Sequence, residues 1–251
     1  MSNENEFGRE RLNGTWLHSG EKQPVPPMMN VPPIMTIFIA LLIGIHAMRE
    51  FFFSALLNLK TLLAFSFIPA RYSPNMPEFP YPLAELWSPV TYALLHGDWG
   101  HVVMNVIWML AFGAIIAKRV GEVRFVLFAI ATALGGAAFH FVFHVGSAVP
   151  VIGASAIVSG FMGAASRFAF GRMGNGRDMT KVPMLTLKQT FTNSQVLTFL
   201  ALWFGMNYLF GSGLIAIAGE GQGVAWQAHI GGFITGLFGF SFFDRSTNIH
   251  N

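Results

Sequence analysis

Between residues 33 and 245 the chain alternates long, nearly uncharged apolar runs with short clusters of charge. A hydrocarbon core offers the backbone no water, so each N–H and C=O that crosses it must be satisfied inside the segment, and about 20 apolar residues wound as a helix achieve this. Six apolar runs stand out, near residues 34–57, 97–117, 124–145, 153–165, 196–218 and 224–243, and all but the fourth reach that length. Composition agrees: 53% of 251 residues are hydrophobic and only 11% charged, with a mean hydropathy of +0.52. A soluble domain of this length does not hide that much apolar surface. The expected fold class is an all-α polytopic membrane protein, a bundle of six transmembrane helices.

Charge then orients the bundle. Of 15 Lys and Arg, 12 fall in the N-terminal tail, the loops after the second and fourth helices, and the C-terminus; Arg49, Lys60 and Arg71 take the other side. Lys and Arg concentrate in cytoplasmic loops, so both termini are expected there. The same distribution accounts for the isoelectric point near 9.4 without a nucleic-acid partner. There is no cysteine, hence neither a disulfide nor a thiol nucleophile. Residues 1–32, polar and then Pro-rich, read as a flexible cytoplasmic tail, 33–245 as the membrane domain, and 246–251 as a short cytoplasmic tail. No cleavable signal peptide is expected, because the first apolar run starts only near Pro33 and is long enough to stay as an anchor. His46, Arg49 and Glu50 should lie near the membrane boundary or face protein. Residues 58–92, with six prolines, read as a long half-submerged interfacial loop.

The fourth run is too short. From Ala154 to Ser166 it has 13 residues, about 20 Å of helix against a core of about 30 Å. It therefore starts inside the bilayer, with Ser155 near its submerged N-terminus. Counting helical rise from the charged ends, Ser155 lies about 18 Å in, Asn105 about 20 Å, His229 about 22 Å and His101 about 25 Å. Four polar side chains on three helices share one slab, and His101 and Asn105, four apart, share a face. Singly, each has an ordinary reading: a membrane serine bonds back to a carbonyl one turn earlier, and an Asn bridges helices. Together they supply a hydroxyl, a base of near-neutral pKa, and oxyanion donors in His101, the Asn105 amide and the Ser155 backbone N–H.

The stretches HGDWGHVVMN (96–105), GASA (153–156) and AHIGGFITG (228–236) resemble, in order and spacing, the three signatures of the rhomboid intramembrane serine proteases. The resemblance runs over roughly residues 33–245. It implies a six-helix rhomboid-like bundle in which Ser155 is the nucleophile and His229 the general base of a dyad without a carboxylate. It makes His101 and Asn105 oxyanion donors and His96 a polar neighbour. Ala228, Gly232 and Gly236 form a small-residue face that lets the sixth helix approach the fourth. ELW (85–87) is similar to the start of the family's first-loop motif. Three positions depart from the pattern. Gly153-Ala154-Ser155-Ala156 has a methyl in place of the second glycine, which narrows the pocket. Ser159 stands where an aromatic usually stacks on the base, so another aromatic is expected to take over. Trp87 is followed by Ser88 where an arginine is usual.

The implied activity is hydrolysis of peptide bonds in or near transmembrane segments of membrane-protein substrates, with a small residue such as Ala before the scissile bond and no cofactor or metal. Water would enter from the outer face, under the loop before the second helix and the loop around Glu220. The fifth helix, with Trp203 and Phe204, is a candidate lateral gate. The short loops suit a bacterial inner membrane; the oligomeric state stays open. One alternative is an inactive rhomboid-like protein that binds transmembrane helices, against which the presence of both Ser155 and His229 argues. The other is a metal or haem site on His140 and His144, near the level of His96 and His101.

Overall fold

The computed structural model describes residues 11–12, 15–16, 31–73, 80–170, 179–211 and 225–244. Residues 1–31 form one unit and 32–251 another. In the first, expected to have no fold, Arg11–Leu12 pairs antiparallel with Thr15–Trp16. The loop around Glu220, residues 246–251 and most of the tail lie outside the described residues.

The membrane unit is all-helical apart from one isolated bridge between Phe67 and Val151 among the described residues. Helix α1, Pro33–Phe51, starts with proline at its first position, where the missing N–H has no intrahelical partner to lose. It was expected to continue to residue 57 but stops at Phe51. Ser54 adopts an extended backbone and its hydroxyl accepts the Leu57 N–H at 3.3 Å, a cap that starts a separate helix, α2, Ala55–Phe65. Near its end, α1 turns Arg49 inward, where the guanidinium donates to Asn58 Oδ1 at 2.9 Å and to His96 O at 2.8 Å. His46 is also buried, edge-on to Trp99, while Glu50 is exposed.

The expected loop over 58–92 is instead largely helical. After α2 come a 3₁₀ turn at Pro69–Tyr72, helix α3 at Ala84–Thr91 and a second 3₁₀ turn at Tyr92–Leu94. Pro89 inside α3 cannot donate to the Glu85 carbonyl one turn back, and the Tyr72 hydroxyl donates to it at 2.8 Å instead. Trp87 Nε1 ties α3 to the Ala64 carbonyl at 2.8 Å. Where an arginine after Trp87 is usual, the guanidinium comes from Arg71, which reaches the Leu63 carbonyl and, at 3.5 Å, Ser88 Oγ.

Asp98 caps α4, Trp99–Trp108, by accepting the His101 N–H at 3.0 Å. The rod continues through a π-helical stretch, Met109–Gly113, into α5, Ala114–Val120. Gly121, at φ +81°, turns the chain into α6, Glu122–Phe143. Helix α7, Ser155–Ala165, is followed by the short α8, Leu187–Thr192, then α9, Ser194–Gly211, and α10, Trp226–Gly239. Pro33–Phe51, Trp99–Val120 and Glu122–Phe143 are long and apolar enough to cross a membrane. Their outer faces carry exposed Ile37, Ile107 and Val123, a surface suited to lipid. Every residue of α7 after Ser155 is buried, so the short helix stands at the centre of the bundle.

Candidate active site

Ser155 begins α7 because the preceding chain is clamped. Val151 pairs with Phe67 through two backbone hydrogen bonds, the Gly153 N–H donates to Tyr92 O at 3.0 Å, and the Ala154 N–H approaches His96 Nε2 at 3.4 Å. Tyr92 is itself fixed by its hydroxyl on Ala133 O of α6, at 2.9 Å. Gly153 has φ +120°, a conformation that side chains disfavour. Among the described residues no side chain caps α7, so its first N–H groups and the positive end of its dipole are available to a ligand's oxygen.

His101 stands over this helix start. A Cβ built on Gly153 would lie 2.7 Å from His101 Nε2 and 3.6 Å from Ser155 Oγ, so the ring and the hydroxyl flank one small volume. The Gly97 N–H points at His101 Nδ1, at 3.5 Å. That arrangement leaves the ring proton on Nε2, the atom nearest Gly153. His96 packs edge-on against His101 with centroids 4.9 Å apart. Burial, and then the neighbouring His101 imidazole, push His96 down to about 3, so it is a neutral acceptor for Ala154. Asn105 is buried one turn along α4 and donates to His101 O at 2.9 Å, which leaves its second amide hydrogen for another acceptor.

His229 lies near the start of α10, and small residues set the distance between α10 and α7. A Cβ on Gly232 would strike the Ala156 carbonyl oxygen, and one on Gly236 the Gly160 carbonyl oxygen. A Cβ on Gly136 of α6 would lie 2.6 Å from Ala156 Cβ and 2.9 Å from both Ala228 O and Tyr92 Oη. The chain neighbours of Ser155 and His229 thus meet at one point against α6.

His229 has a partner that sequence reasoning missed. His229 Nδ1 lies 2.8 Å from Asn207 Oδ1 of α9. The aromatic expected in place of Ser159 is not what holds the ring: among the described residues none stacks on His229, and the ring is held instead at its Nδ1 edge by the Asn207 amide. Trp203, one turn before Asn207, stacks on Phe233 of α10 with centroids 4.2 Å apart, and Phe204 packs edge-on to Trp203. The alternative metal reading finds little support in geometry. His140 and His144 stack face to face, 4.0 Å apart and 2° from parallel, and His144 Nδ1 lies 3.1 Å from the His140 carbonyl oxygen, so that nitrogen is already engaged. Among the described residues no three His, Cys, Asp or Glu side chains are grouped to hold a metal.

Compared with curated protein sequences, the chain finds no match. A family model for the Rhomboid domain matches residues 83–245, a span that contains α3 to α10 and each of these side chains.

Proposed function

The chain belongs to the rhomboid family of integral membrane proteins, and on that premise we propose that it is an intramembrane serine endopeptidase working through a Ser155–His229 dyad. The observation that carries the reading is the start of α7: an uncapped helix N-terminus beginning at a serine, with His101 Nε2 across the Gly153 gap.

In the proposed reaction, Ser155 Oγ attacks the scissile carbonyl carbon while its proton passes to His229 Nε2. The carbonyl oxygen becomes an oxyanion that receives hydrogen bonds from the α7 N-terminal amides, the His101 ring and Asn105. As the C–N bond breaks, His229 returns the proton to the leaving amine and the acyl group stays on Ser155. Water then repeats the sequence: His229 takes its proton, the hydroxide adds, the ester C–O bond breaks, and the proton returns to Ser155.

Transmembrane protein segments are the substrates, and the lipid bilayer is the medium that presents them. A helix conceals its carbonyls, so the cut falls where small or helix-breaking residues allow local unwinding. A small residue before the scissile bond suits a pocket bordered by Gly153 and Ala156. Both termini lie in the cytoplasm of a bacterial cell, with water reaching the dyad from the outer face of the inner membrane. Protein purified in detergent is expected to cleave a model transmembrane substrate and to be labelled by a fluorophosphonate. Ser155→Ala and His229→Ala are each expected to lose both by at least about 10³-fold. Unchanged cleavage by Ser155→Ala sinks the assignment.

A further inference from the structure

The amide of Asn207 has a defined orientation because its other end is already committed. Nδ2 donates to Trp203 O at 2.9 Å, and a carbonyl can only accept, so the amide nitrogen faces Trp203 and Oδ1 faces α10. Oδ1 can likewise only accept. At 2.8 Å from His229 Nδ1, it requires the proton on that nitrogen. A neutral imidazole with its proton on Nδ1 keeps its lone pair on Nε2, the form a base needs before it receives a serine proton.

The contact is held on both sides. Trp203 and Asn207 are one turn apart on α9, as are His229 and Phe233 on α10, and the pairs 203/233 and 207/229 match as rungs between antiparallel helices. Trp203 is nearly fully buried in its stack on Phe233, so the rung next to Asn207 is rigid. A carboxylate in this position would stabilise the imidazolium more strongly, but burying an unpaired charge in the membrane is expensive. A neutral amide fixes the tautomer without that charge.

We infer that Asn207 is the positioning residue for His229, supplying from α9 the acceptor that selects the Nδ1–H tautomer and aims Nε2 at the serine. This rests on the protease reading of the site. A purely structural role, an interhelical hydrogen bond that joins α9 to α10, holds the same tautomer and changes stability, but leaves the kcat of the folded protein unchanged when it is removed.

The test combines kinetics with ¹⁵N-histidine NMR of the full chain in detergent, with His229 assigned by the signal lost in His229→Ala. Wild type is expected to show the Nδ1–H tautomer at His229. Asn207→Leu is expected to shift the population towards Nε2–H and to lower kcat on the order of 10²-fold with KM little changed. Asn207→Asp, which keeps an acceptor oxygen but loses the donor to Trp203 O, is expected to restore the tautomer and only part of the kcat. Should Asn207→Leu not fold, Asn207→Ala reads the same quantities. A wild type with its proton on Nε2, an unchanged tautomer in the Leu variant, or wild-type kcat in that variant overturns the assignment. Wild type that shows the Nδ1–H tautomer yet has no Ser155-dependent cleavage overturns the protease reading and leaves the Asn207 contact standing.

Discussion

Gly153 carries two constraints at once. Its φ of +120° lies where a side chain strains the backbone, and a methyl there would sit 2.7 Å from His101 Nε2. Gly153→Ala is therefore expected to cost about 1–3 kcal/mol in backbone strain and to push the His101 ring away from Ser155. Fluorophosphonate labelling should slow by at least about 10-fold, since about 1.4 kcal/mol of lost alignment already gives that factor. Gly44→Ala is the control: a Cβ there meets nothing within 4 Å, and labelling should stay at the wild-type rate. Unchanged labelling of Gly153→Ala would separate His101 from the reaction. Much at this scale could be read from residues alone, because depth counting picks out Ser155, His101, Asn105 and His229 as polar groups in one slab. The same count from Ser194 places Asn207 about 20 Å into α9, in that slab, but a lone amide in a membrane helix reads first as a helix bridge. Tyr92 was illegible for another reason, since it holds Gly153 through its backbone carbonyl. Arg71 stands 17 residues from Ser88, and no spacing rule pairs them.

At the scale of elements, α10 touches α7 almost backbone to backbone, with Gly232 on Ala156 and Gly236 on Gly160. Close approach of this kind gives helices in a membrane dispersion contacts that replace a hydrophobic driving force. It also sets where His229 stands, three residues before Gly232. In Gly232→Val the added atoms collide with a carbonyl oxygen, not with the end of a flexible side chain, so α10 itself must move. The expected destabilisation is about 1–3 kcal/mol, read as a lower unfolding temperature in detergent, with activity lost below that temperature as well. Gly239→Ala, where a Cβ meets nothing within 4 Å, should change neither. Activity that survives in a destabilised Gly232→Val would mean that the α7–α10 distance does not position the base. Hydropathy located the runs that become α1, α4–α5, α6, α7 and α10, because burial in lipid or protein is what hydropathy measures. It could not see the break after Phe51, where FFFSALL stays apolar throughout and a single serine hydroxyl starts a new helix. Nor could it see α3, since proline count reads as loop unless the carbonyl orphaned by Pro89 is known to find Tyr72.

For the molecule as a whole, α10 must be fixed at the end opposite His229 if its glycines are to hold that histidine in place. Arg167 donates to Leu237 O in the last turn of α10 at 3.0 Å, and just past the helix Arg124 donates to Phe243 O at 3.3 Å and Arg119 pairs with Asp244 through contacts of 3.1 and 2.7 Å. Cations at a helix C-terminus complement its dipole and its unpaired carbonyls. Charge counting treats Arg119 as a loop residue, yet its side chain and that of Asp244 are fully buried, with the guanidinium also on Val182 O at 2.7 Å and above the Phe168 ring. A pair so deep gains little net free energy over apolar packing, but removal of one partner strands the other charge. Asp244→Leu alone is thus expected to destabilise the bundle by about 3–5 kcal/mol. Arg119→Leu combined with Asp244→Leu should cost much less than the sum of the single changes, because neither charge is then left alone. Unfolding in detergent across this double-mutant cycle measures the coupling, and added salt should barely change it, since buried pairs are weakly screened. Additive single changes, or a coupling that vanishes in salt, would mean that the pair is a surface contact and that α10 is held by the carbonyl-bound arginines alone.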